Sequence, residues 1–175
     1  MKKLIDKFII LISVFLFFSC SNNELVKNDK NFDNESIETL NLNSENIYAE
    51  ALIQLKNENY EEALLNFEKI KLKFPLTNES IQSQIMIAFI EYSNLNYDIA
   101  IIKFNRIINR YPSHKNIDYV YYMKALSFYE QINNEELDGN NNKQALDSFN
   151  QILNRFPNSK YAKDSEQKII LVKEN

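Results

Sequence analysis

Side chains able to do covalent or metal chemistry are scarce in this 175-residue chain: one cysteine, Cys20, and one histidine, His114. A structural zinc site needs four Cys/His-type ligands, and a nucleophile needs a base that is itself oriented by another group, so neither can be assembled from that pair. His114 has no second His or Cys at ligand spacing and reads as a surface residue. The acidic pairs Glu61-Glu62 and Glu135-Glu136 could act as paired carboxylates only inside a pocket, and they read as solvated helix or loop faces. A single glycine, Gly139, leaves no glycine-rich phosphate loop and no supply of the turns that a β-sandwich or barrel requires. The expectation is a protein without catalysis, metal or cofactor. Net charge is −4, and beyond residue 20 there are 17 basic against 23 acidic side chains, which gives no electrostatic footprint for nucleic acid.

Cys20 has chemistry of a different kind. Lys2, Lys3 and Lys7 precede an apolar run from Phe8 to Phe18, too short to cross a hydrocarbon layer about 30 Å thick, so residues 1–19 read as a signal peptide. Ser19-Cys20 directly after that run resembles the lipobox of bacterial lipoproteins, with Phe17 and Phe18 as departures from its usual letters. That resemblance implies a diacylglyceryl thioether on the Cys20 sulfur, and Ser21 in place of Asp implies sorting to the outer membrane. Several acyl chains make such an anchor stable, because each buried CH₂ contributes about 0.8 kcal/mol. Residues 20–43 are polar without sustained periodicity and are expected to form a flexible tether.

The elements that follow are set by a repeat. Ala63, Phe67 and Pro75 recur as Ala100, Phe104 and Pro112 after 37 residues, and as Ala145, Phe149 and Pro157 after a further 45. Upstream, Ala51 lies twelve residues before Ala63 and Ala88 twelve before Ala100, whereas Ala125 lies twenty before Ala145. One eight-residue insertion within "NNEELDGNNN" accounts for both irregularities and holds the only glycine. Each copy has apolar residues at helical spacing and stops at an aromatic-Pro pair, where proline ends the helix and restricts its predecessor. Helix, short turn, helix with small-residue contacts is the pattern of the tetratricopeptide repeat. The predicted fold is all-α, a right-handed superhelix over 44–175 with repeats at 44–77, 81–114 and 117–159 and a closing helix at 160–173.

Three segments, "IYAEALIQLKNENYEEALLNFEKI" at 47–70, "YPSHKNIDYVYYMKALSFYEQI" at 111–132 and "ALDSFNQILNRFPNSKYAKDSEQKI" at 145–169, resemble the BamD (ComL) family of outer-membrane lipoproteins. His114 to Leu126, with Asn116-Ile117-Asp118-Tyr119, is the most specific part. The resemblance implies a lipid-anchored scaffold on the periplasmic face of the outer membrane, within the β-barrel assembly machinery. Its implied partners are the periplasmic POTRA domain of BamA, the other lipoproteins of that complex, and segments of unfolded outer-membrane proteins. Family members usually carry further repeats, which mainly grip BamA, so a chain stopping at Asn175 is expected to be a truncated or shortened form. The alternative is another periplasmic repeat adaptor, coordinating the Tol-Pal system or the cell envelope.

In tetratricopeptide repeats the first helix of each pair lines the concave surface. The 37-residue shift aligns Tyr48, Ile85 and Tyr122, then Leu52, Phe89 and Leu126, then Leu55, Tyr92 and Tyr129. Phe89, Tyr92, Tyr122 and Tyr129 are the candidate peptide-groove residues, whereas Tyr48, Leu52 and Leu55 are the main apolar stripe of their helix and read first as core. Asn116, Asp118 and Tyr119 form a candidate partner-contact loop, although Asn116 and Asp118 read first as caps of the helix that follows.

Overall fold

The structure, a computed structural model, describes residues 29–132 and 140–174, with side chains from Asn43 onward. Cys20, Gly139 and the pair Glu135-Glu136 lie outside the described residues. The chain divides into two compact units, Met1–Thr39 and Leu40–Asn175. In the first, the described residues 29–39 are helical and belong to α1 (Asp29–Lys56). The stretch expected as tether is therefore helical from Asp29. Nothing between Asp29 and Asn43 breaks a helix, since Pro and Gly are both absent there.

The second unit holds α1 from Leu40, then α2 (Tyr60–Lys73), α3 (Asn78–Ser93), α4 (Tyr97–Arg110), α5 (Ile117–Tyr129), α6 (Asn140–Arg155) and α7 (Ala162–Glu174). From α2 onward each helix packs on the next in sequence, and α3 also touches α5, as in a tetratricopeptide stack of helix pairs. The registered residues are its core. Ala51, Ala63, Ala88, Ala100, Ala125 and Ala145 are fully buried, and so are Phe67, Phe104 and Phe149. Alanine at those positions lets two helices approach closely, and one phenylalanine per pair fills the space beside the contact. Among the described residues no helix is long and apolar enough to cross a membrane.

Helix ends follow local chemistry. Glu61 and Glu62 open α2 and Lys71 and Lys73 close it, each sign suited to the helix dipole. Thr77 caps α3 by accepting the Ser80 N–H at 3.2 Å. The pre-proline residues Phe74 and Tyr111 leave helical geometry at φ −128° and −131° while still donating N–H to Ile70 and Ile107 at 2.8 Å. Within the first two pairs the turn is a Schellman motif. Asn59 N–H donates to Gln54 C=O and Glu58 N–H to Leu55 C=O, and one repeat later Asn96 donates to Glu91 and Leu95 to Tyr92. The residue that such a turn places in the left-handed region is Glu58 at φ 60° and Leu95 at φ 62°. Glycine is the usual occupant, and this chain has none to place there.

Candidate binding surface

Side chains on α3, α5 and α7 join these helices one to the next in a polar and aromatic strip. Tyr48 on α1 packs instead on the core residue Phe67 of α2, with ring centroids 5.6 Å apart. On α3, Phe89 stacks on Tyr92 at 6.5 Å, and Tyr92 meets Tyr97 edge-on at 5.5 Å. The Tyr92 hydroxyl donates to Glu130 Oε1 at 3.4 Å, tying α3 to the end of α5. Tyr122 on α5 stacks on Tyr161 at 4.7 Å and donates to Asp164 Oδ2 at 2.6 Å, tying α5 to α7. Tyr119, one turn earlier, lies 5.7 Å from the same Tyr161 ring. Tyr129 sets its edge against Phe149 at 6.3 Å and carries the Lys168 ammonium 4.2 Å from its centroid.

These phenols sense one another. Burial pushes Tyr48 and Tyr92 up to about 12, helped by Glu79 at the first and by Glu130 and Tyr97 at the second. Tyr119 is raised further, by burial first and then by Tyr161, Tyr92 and Tyr48. Tyr122 is raised by burial and then by its hydrogen bond to Asp164. All remain neutral donors at physiological pH.

Phe89, Tyr92, Tyr122 and Tyr129 are all half-buried. Leu52 is 38% exposed, while Tyr48 and Leu55 pack on the first-repeat core. Tyr161, Asp164 and Lys168 also belong to the strip, and sequence reasoning placed them only in a closing helix. The helical phase of Tyr161 was visible, but its ring partner lies 39 residues away on α5, beyond any local signal.

The loop before α5 departs from expectation. Asn116 occupies the N-cap position, but its side chain makes no capping bond. Its Nδ2 donates to Gln82 Oε1 at 3.2 Å, and its backbone N–H donates to His114 Nδ1 at 3.2 Å. His114 is half-buried rather than a free surface residue, with Nε2 3.3 Å from Gln82 Nε2, and desolvation lowers its pKa, assisted by Lys115. Asp118 accepts the Tyr119 N–H at 2.8 Å and the Ser159 hydroxyl at 2.6 Å. Contacts from α3 and from the loop before α7 thus satisfy the groups that capping would have used. Their effect is to fix Tyr119 in the strip.

Against known proteins, the YfiO family model, described as outer membrane lipoprotein, matches residues 41–175. The chain is 35% identical over 129 residues to an outer membrane protein assembly factor BamD from Rickettsia prowazekii, covering 74% of this chain and 51% of the relative. It is 30% identical over 136 residues to the protein of that name from Neisseria gonorrhoeae, covering 72% and 51%. Over 126 residues it is 30% identical to the Caulobacter vibrioides one, covering 72% and 41%. The chain spans about half the length of the curated relatives it matches.

Proposed function

This chain belongs to the YfiO (BamD) family of outer membrane lipoproteins, and on that premise we propose that it is a lipid-anchored scaffold that helps assemble outer-membrane β-barrels by holding their unfolded segments. The carrying observation is the aromatic strip across the first helices, where Phe89, Tyr92, Tyr122 and Tyr129 are only half-buried while hydrogen bonds and stacking hold Tyr92 and Tyr122 in place. Alternating apolar and aromatic side chains on a barrel strand suit such a row of rings, which supply contact area at low entropic cost. Fixing the rings in advance lowers the ordering penalty on binding. Asn116, together with Asp118 and Tyr119 in the first turn of α5, acts by positioning the strip and by contact with a partner. BamA, through its periplasmic domain, is the proposed docking partner, and Cys20 is the proposed site of lipid attachment.

The test is affinity for a fluorescent peptide copied from the last strand of an outer-membrane barrel. Phe89→Ala with Tyr92→Ala should weaken binding by about 10- to 100-fold, as loss of aromatic anchors does. Unchanged affinity with an intact helical spectrum would reject the strip as the client site. Separately, Cys20→Ser should abolish incorporation of labelled fatty acid.

A further inference from the structure

A second surface, built by the second helices of the pairs, has the opposite character from the acidic chain around it. Between α2, α3 and α4 lies a cavity of about 230 Å³ whose walls include Lys71, Lys103, Arg106 and Arg110, with Glu68 as the one carboxylate lining it. Lys71 is paired with Glu68, and Lys103 with Glu91 at 3.1 Å. Arg106 and Arg110 have no carboxylate partner among the described residues. Tyr111 adds a donor, since its hydroxyl oxygen accepts from Gln84 Nε2 at 3.3 Å and leaves its own O–H to offer.

The repeat shows that the fold does not require these cations. At the corresponding positions of the next repeat, Lys71 becomes Ile108, Lys103 becomes Ser148 and Arg106 becomes Gln151, and only Arg110 keeps its charge, as Arg155. Two leucines beside the cavity follow the same rule. Leu72 is 73% and Leu76 is 99% exposed, next in sequence to the lining residues Lys71 and Pro75. Their counterparts are Asn109 and Ser113 in the second copy, then Asn154 and Asn158 in the third. Cations and projecting apolar side chains therefore meet at the junction of the first two repeats, Lys71 and the leucines from the first copy and Lys103, Arg106 and Arg110 from the second, whereas the next junction keeps only Arg155.

From this we propose that the cavity takes the phosphate of an anionic phospholipid headgroup and docks this face on a bilayer, with Leu72 and Leu76 entering the acyl boundary. Guanidinium groups match phosphate oxygens in a planar, paired geometry. A soluble anion or an acidic peptide would satisfy the charges but give the leucines nothing, whereas an interfacial site uses both. The site is separate from the aromatic strip and does not depend on its function.

The test uses the full chain with Cys20→Ser and an environment-sensitive fluorophore on Leu76→Cys. It is added to vesicles of phosphatidylcholine alone or of phosphatidylcholine with phosphatidylglycerol. The apolar leader brings the chain to both, so the readout is quenching at position 76 by acyl-chain nitroxides. Quenching is expected only on the anionic vesicles and should fall as salt rises. Arg106→Gln with Arg110→Gln should lower the docked-to-undocked ratio roughly thirty-fold, about a factor of five per cation at an anionic surface. Lys163→Gln on α7 should leave it unchanged. Equal quenching on both vesicle types, no quenching on either, or full docking by the arginine variant would each overturn the proposal.

Discussion

Replacing Leu95 by glycine should stabilise this protein. Leu95 sits at φ 62°, where a Cβ crowds the carbonyl. An L-residue in that region costs about 1–2 kcal/mol, and glycine's added freedom in the unfolded chain takes back about 0.5–1 kcal/mol. The side chain is 70% exposed, so removing it gives up little buried area. The difference is a gain on the order of 0.5–1 kcal/mol. Glu58→Gly, at φ 60° in the equivalent turn, should gain a similar amount. The two turns share no hydrogen-bond partner, so the double variant should reach about 1–2 kcal/mol. Urea unfolding followed by circular dichroism reads this as a higher midpoint at unchanged slope. Asn94→Gly is the control: at φ −85° it has no left-handed strain to relieve and should lose about 0.5–1 kcal/mol. If Leu95→Gly is destabilised as much as Asn94→Gly, the turn carries no strain and the reasoning fails.

Three further outcomes are expected. Ser83 is fully buried, and its hydroxyl has no hydrogen-bond partner among the described residues, so Ser83→Ala should raise stability by about 1 kcal/mol in the same unfolding assay. Phe104→Ala should cost about 3–5 kcal/mol, because Phe104 is fully buried and the neighbouring helices cannot close the gap, and thermal melts would show it. Tyr48 and Tyr92 hold their protons to about pH 12 in the folded protein, whereas unfolded phenols lose theirs near pH 10. Stability should therefore be level up to pH 10 and fall between pH 10 and 12, as urea midpoints across that window would show, with Tyr92→Phe making the fall shallower.

Legibility in the sequence tracked distance along the chain. The alanine and phenylalanine register and the aromatic-Pro stops act within one helix pair, and they made the all-α repeat and its fully buried alanines and phenylalanines legible directly. The left-handed turns were not legible, because the usual marker is glycine and here the same geometry is imposed on Glu58 and Leu95 by the packing of the helices that they join. Capping by Asn116 was a sound local expectation that tertiary contact overrode, since Gln82 from the preceding repeat lies within 3.2 Å and takes its amide. His114 looked solitary for the same reason. Its partner is also Gln82, 32 residues back.

From the sequence alone follow an all-α repeat architecture, its 37-residue period with one insertion, and the resemblance to a family that the comparisons then bore out. These rest on interactions a few residues apart, or on patterns that recur in register. Only the tertiary structure decided which side chains meet between repeats: Tyr122 with Tyr161 and Asp164, Tyr92 with Glu130, and four cations around one cavity of the second-helix face. The physical reason is that helical periodicity fixes the phase of each side chain about its own axis, while the partner it faces depends on how far one helix pair is rotated and shifted against the next.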